Sequence, residues 1–142
     1  MAYLLIIIFL NSNSYGENNR YFEFDKGIIA LMYHRFDEHK YPSTNIQMDI
    51  FKEQINIIEN LKIKFLHPKN FSEEISKPNE VKKILLTIDD GFQSFYDNAW
   101  PILKKKNIPF ILFISTAYVG KNGYMNWEQI KEIEKSGLGI IG

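Results

Sequence analysis

Ile84-Leu85-Leu86-Thr87-Ile88-Asp89-Asp90-Gly91-Phe92 is the stretch that decides the fold. A largely apolar, β-prone run ends abruptly in two adjacent carboxylates and a glycine. Such a run reads as a buried strand. In α/β enzymes the C-terminal ends of buried strands open into the loops where ligands bind. Adjacent carboxylates repel one another and raise one pKa, so a purely structural role suits Asp89 and Asp90 poorly. A bound cation, or a proton exchanged in chemistry, would relieve the repulsion. One carboxylate would then hold a divalent metal, and the other would take a proton from water as general base. The plainer alternative is a strand-to-helix connection in which one Asp caps the next helix.

Outward from this strand, apolar runs alternate with amphipathic segments. Gly27–Tyr33 reads as a buried strand and His34–His39 as a polar loop. Between Ile46 and Leu61 the apolar residues Met48, Phe51, Ile55, Ile58 and Leu61 recur at helical steps. Ile63–Leu66 reads as a short strand and Asn70–Ile75 as a short helix. After the acidic strand, Phe92–Lys106 reads as a helix with Phe92, Phe95, Tyr96, Ala99, Ile102 and Leu103 inward. Pro101 should kink or break it. Pro109–Ile114 is another strand, followed by a loop from Ser115 to Gly123. Asn126 caps a helix through Lys135 whose inner face carries Trp127, Ile130 and Ile133, and Leu138–Gly142 begins one more strand.

Apolar strands alternating with amphipathic helices imply a parallel sheet covered on both faces. The expected fold is α/β, with about five strands and four helices. The last strand has no element after it, so the chain reads as the front part of a larger α/β barrel, truncated after about five strands.

The 142 residues suffice for one modest domain with a real core. Lys plus Arg and Asp plus Glu balance at 17 each, so no basic excess points to nucleic acid. Without cysteine there is neither a disulfide framework nor a thiolate metal site. Metal ligands are left to Asp, Glu and the three histidines His34, His39 and His67.

Residues 1–20 read as a signal peptide and polar spacer, ahead of a domain over 27–142. The apolar run Tyr3–Leu10 has the length of an export-signal core and is too short to span a bilayer. It lacks a preceding Lys or Arg, and an N-terminal strand is the plainer alternative. Export implies a periplasmic, cell-surface or secreted protein, with membrane proximity through this segment.

Thr87-Ile88-Asp89-Asp90-Gly91-Phe92 resembles the first motif of polysaccharide deacetylases with the NodB-homology domain, carbohydrate esterase family 4. That motif is usually Thr-Phe-Asp-Asp-Gly, so Ile88 departs from it. Asn98–Lys104 is similar to the family's helix with its Pro-x-Leu. Pro109–Ile114 with Val119-Gly120 resembles the next strand and loop. Met125–Ile130 and Ser136–Gly142 resemble the approach to the second motif. The resemblance covers roughly residues 28–142 and implies the N-terminal part of a NodB-type (β/α) barrel.

By this resemblance Asp89 is the catalytic base and Asp90 a metal ligand. The family's second motif supplies two histidines that bind the metal, and it is expected beyond Gly142. A divalent cation is implied, with zinc the usual choice for an Asp-His-His site. Leu31-Met32-Tyr33-His34-Arg35 resembles the exopolysaccharide branch that acts on poly-N-acetylglucosamine. There a histidine at this place protonates the leaving amine, which makes His34 the general acid. The implied reaction is hydrolysis of N-acetyl groups on a polysaccharide, the implied partner. Without the resemblance, the favoured reading of His34 is a capping histidine that orients its neighbours.

The other candidates have plainer readings. His39 reads as a solvated loop residue and His67 as structural or exposed. Tyr118, Tyr124 and Trp100 could stack on sugar rings, but packing is the default for each. Trp127 reads as core. Lys104-Lys105-Lys106 reads as a solvated helix end, favourable to the helix dipole.

Two other function classes compete. A haloacid-dehalogenase-type phosphohydrolase uses Asp-x-Asp after a buried strand, whereas these acids are adjacent. A non-catalytic, truncated relative that binds carbohydrate, or has no activity, is the alternative.

Overall fold

The computed structural model describes residues 27–76 and 81–142. The export signal and spacer expected over residues 1–20 lie outside the described residues. The elements run β1 (Gly27–Tyr33), β2 (Arg35–Phe36), β3 (Asn45–Ile46), α1 (Met48–Asn60), β4 (Lys64–Phe65), α2 (Phe71–Ser76) and β5 (Lys82–Ile88). They continue with α3 (Trp100–Lys106), β6 (Phe110–Leu112), α4 (Trp127–Lys135) and β7 (Gly139–Ile141).

β5 is central. β1 pairs along its whole length, from Gly27↔Lys82 to Tyr33↔Ile88. The other edge of β5 is shared: β4 takes Lys83 and Ile84, and β6 takes Leu86 to Ile88. β7 pairs with β6. Every pairing is parallel, so the α/β order expected from the sequence is the order observed.

Alternation along these strands sets two unlike faces. Ile84, Leu86, Ile88, Phe110 and Leu112 pack with Phe51, Ile55, Leu103, Ile130 and Ile133 of the helices. Tyr33 joins them from β1. α1, α3 and α4 therefore lie on one side of the sheet. The opposite face leaves Met32 and Phe113 exposed. The sequence reading expected cover on both faces; among the described residues the second face is covered only in part, where Leu85 is buried and Lys83 pairs with Glu74 of α2. One helix-covered face and one inward face make the wall of a partial barrel rather than a doubly wound sheet.

An aromatic line fills the core. Tyr33, Phe36 and Phe51 pack on one another, and the line runs on from Phe36 through Phe95 and Phe110 to Trp100, with ring centroids 5.2 to 5.9 Å apart, tilted or edge-on. These geometries suit the ring quadrupoles and contribute about 0.5–1.5 kcal/mol per pair beyond burial. Trp100 is thus core and no sugar platform. Phe36 explains a feature the sequence hid: it is fully buried, and its burial draws the expected polar loop into a parallel two-residue pairing of β2 with β3.

Three apolar residues depart from the expected pattern. Leu61 is exposed because α1 ends at Asn60 and the chain turns through a left-handed Lys62 (φ 57°). Trp127 is exposed as well. Steps of three advance about 300° each, so Trp127 stands about 120° away from Ile133 around the helix. Phe92 is buried, but outside the helix, where it forms an isolated antiparallel bridge with Tyr124. The following helix widens into a π turn over Phe95–Ala99, then tightens at Trp100. Pro101 lacks an N–H, and its ring would clash with the carbonyl four residues back, so the wider turn relieves it.

Candidate active site

The β1–β5 register brings the site together. Tyr33 and Ile88 are paired and both face the helices. The next residues, His34 and Asp89, therefore turn to the inward face at the C-terminal ends of neighbouring strands. The Asp89 N–H donates to the Tyr33 carbonyl at 2.8 Å, which carries the register to this point.

The chain then reverses through two left-handed residues, Asp90 (φ 71°) and Gly91 (φ 74°). A Cβ on Gly91 would make only ordinary contacts, 3.6 Å from Ile114 and 3.8 Å from Met125. Its conformation, not crowding, is what calls for glycine. Asp tolerates the left-handed region better than most residues. The turn is pinned where the Met125 N–H donates to the Gly91 carbonyl and the Gln93 N–H to the Gly123 carbonyl, both at 2.9 Å.

His34 Nδ1 lies 3.1 Å from Asp90 Oδ2. Ser115 Oγ donates to Asp90 Oδ1 at 3.4 Å. Asp89 Oδ1 is buried with no hydrogen-bond partner among the described residues. Burial pushes the Asp89 carboxyl up from its ordinary range; neighbouring His34 opposes this and Asp90 adds to it. The three residues singled out in the sequence thus stand together. Ser115 was missed, and its place just past β6 was its only signal.

No three His, Asp or Glu side chains converge to hold a metal ion among the described residues. Catalytic metals commonly have three protein ligands.

Residues 76–142 match the family model for polysaccharide deacetylase. IcaB from Ammonifex degensii is 34% identical and superposes with a TM-score of 0.73, over 82% of this chain and 52% of that one. The chain is thus similar to the polysaccharide deacetylases in sequence and in fold. A poly-beta-1,6-N-acetyl-D-glucosamine N-deacetylase of Staphylococcus aureus is 29% identical, over 80% of this chain and 46% of the relative. A de-N-acetylase from Aggregatibacter actinomycetemcomitans shares the fold at 20% identity and a TM-score of 0.71, over 81% of this chain and 53% of that one. The chain spans about half the length of these deacetylases.

Within this deacetylase fold the other candidates are structural or peripheral. His67 caps the short 3-10 turn at Pro68–Asn70, its Nδ1 accepting from the Lys69 N–H, while Nε2 lies 2.9 Å from the Gly137 carbonyl. His39 is exposed and outside the site. Tyr118 stacks on Tyr124 at 5.0 Å, and Tyr124 packs on Phe92 at 4.9 Å. Lys104 and Lys106 are more than a solvated end: they pair with Glu132 of α4 at 3.0 Å and Glu59 of α1 at 2.6 Å.

Proposed function

We propose that the chain contributes the base and the acid of a hydrolase that removes N-acetyl groups from a polysaccharide. The observation that carries this reading is the buried Asp89 Oδ1, without a hydrogen-bond partner among the described residues, beside the His34–Asp90 pair. Water adds to the acetyl carbonyl carbon, and Asp89 accepts its proton. Burial raises the Asp89 pKa, which makes it a better base than an ordinary carboxylate. The carbon–nitrogen bond then breaks, and His34 gives a proton to the departing amine. With Nδ1 turned to Asp90, Nε2 is the nitrogen left to face substrate. Acetate and a free amino sugar result.

Asp90 would be one ligand of a divalent cation, with zinc favoured by the donor chemistry. Its histidine ligands would come from beyond Gly142. When bound, such a cation polarises the carbonyl and acidifies water. A substrate among N-acetylglucosamine polymers is supported by similarity to a poly-beta-1,6-N-acetyl-D-glucosamine N-deacetylase. A periplasmic, cell-surface or secreted location goes with such a substrate and with the apolar run at Tyr3–Leu10.

The test is acetate release from a β-1,6-linked N-acetylglucosamine oligomer with a divalent metal supplied. Asp89→Asn should lower turnover by about 10²–10⁴ while leaving metal binding largely intact. Native turnover by Asp89→Asn would sink the reading. The alternative is a non-catalytic relative that binds carbohydrate. Oligomer binding without acetate release would support it.

A further inference from the structure

Arg35, beside His34, enters no step of this chemistry, yet its side chain is among the most closely held near the site. Its guanidinium carbon lies 3.4 Å from the Phe92 ring centroid and 4.0 Å from that of Tyr41. Its Nη1 donates to Glu38 Oε2 at 2.6 Å, and the side chain is 14% exposed. Glu38 Oε1 in turn accepts from Ser94 Oγ at 2.6 Å. Ser94 Oγ accepts from the Phe36 N–H at 3.2 Å.

These contacts join two stretches far apart in sequence. One runs from His34 to Glu38; the other runs from Asp89 to Ser94. Arg35 follows His34 directly, and Phe92 stands two residues after Asp90. A planar guanidinium stacked on Phe92 therefore fixes both ends of the His34–Asp90 contact. Arg suits this place because it stacks and donates in one plane, which Lys cannot do. Glu38 compensates its charge, so the group can be largely buried.

We propose that Arg35 is a positioning residue that holds the His34 ring against Asp90. This rests on the reading of His34 and Asp90 as site residues. The fold does not depend on the clamp: Phe36 is buried, and its carbonyl accepts from Asn98 Nδ2 at 2.9 Å.

The test is nitrogen-15 NMR of the whole 142-residue chain at one fixed pH, following the His34 ring Nδ1–H proton. A hydrogen bond to Asp90 should protect this proton in the native chain, and Asp90→Gly, which removes the acceptor and suits the φ of 71°, should lose it. Arg35→Met should fold and lose the signal. Arg35→Lys, which keeps the charge but not the plane, should not restore it. Tyr41→Leu, at an exposed position, should weaken it and serves if Arg35→Met fails to fold. Absence of the signal in the native chain would overturn the proposal, as would a native signal in folded Arg35→Met or Tyr41→Leu. Full restoration by Arg35→Lys would overturn the planar clamp. Unchanged turnover in His34→Gln would instead overturn the acid role and leave the clamp standing.

Discussion

His34 Nδ1 stands 3.1 Å from Asp90 Oδ2 although 56 residues separate them in the chain. The contact exists because β1 and β5 are parallel neighbours in one register. Both side chains are partly exposed, 25% and 40%, so the pair should contribute no more than about 1 kcal/mol to stability. Asn also tolerates the left-handed backbone at position 90. Asp90→Asn is therefore expected to fold with nearly native stability and to lose catalysis. Denaturant midpoints beside acetate release check this; a collapse in stability would show that the pair is structural.

In the proposed chemistry, the feature that makes Asp89 a better base also costs stability. Its folded-state pKa is raised above 3.8, first by burial. Ionisation therefore costs more in the folded chain than in the unfolded one, and stability falls as pH rises through the folded pKa. Asp89→Asn should be more stable than the native chain at neutral pH. The gain should vanish below about pH 4, where both states of Asp89 are protonated. Melting temperatures of both chains across this range decide it.

Two glycines should respond to alanine for different reasons. Gly91→Ala meets ordinary contacts but a φ of 74°, and should cost about 1–2 kcal/mol. At Gly139 a Cβ would lie 2.4 Å from Ile133 Cγ2 and 3.0 Å from Phe110 Cζ. Gly139→Ala should cost about 1–3 kcal/mol through overpacking. Alanine-to-serine changes at the same sites would separate the two causes: at Gly91 the strain stays constant, while at Gly139 it grows with bulk. Urea titrations measure both.

Phe36 and Trp127 invert the usual ranking of aromatic residues by size. Phe36 is fully buried, and Phe36→Ala should cost about 3–5 kcal/mol. Trp127 is 48% exposed, and Trp127→Ala should stay within about 0.5 kcal/mol. Equal losses in chemical denaturation would contradict the packing described.

Asn126 holds the start of α4. Its side chain accepts from the Gln129 N–H, and the Gln129 side chain accepts from the Asn126 N–H, both at 2.9 Å. Asn126→Ala should cost about 1 kcal/mol, and Asn126→Ser should recover most of it. Thermal melts of the two variants test the reciprocal cap.

Much of this was legible in the chain itself. Gly27–Tyr33 and Lys82–Ile88 read as buried strands because continuous apolar runs need no partner to reveal them. Met48, Phe51, Ile55 and Ile58 marked α1 by period alone. Phe36 did not announce itself, since one apolar residue among polar ones has no period. Trp127 misled because a three-residue step approximates a helical stripe only over one turn. Among site residues, Asp89 and Asp90 stood out as a doublet at a strand end. Ser115 stood out little, because its partner Asp90 lies 25 residues away in sequence.

Local order in the sequence determined the strands, the helices and the strand-end acids, since apolar period and turn chemistry act over a few residues. Only the tertiary structure decided that His34 meets Asp90, that Asp89 Oδ1 is buried without a partner among the described residues, and that α1, α3 and α4 share one sheet face. Those outcomes depend on which strands become neighbours and in what register, which is set by the burial of the whole core rather than by any one segment.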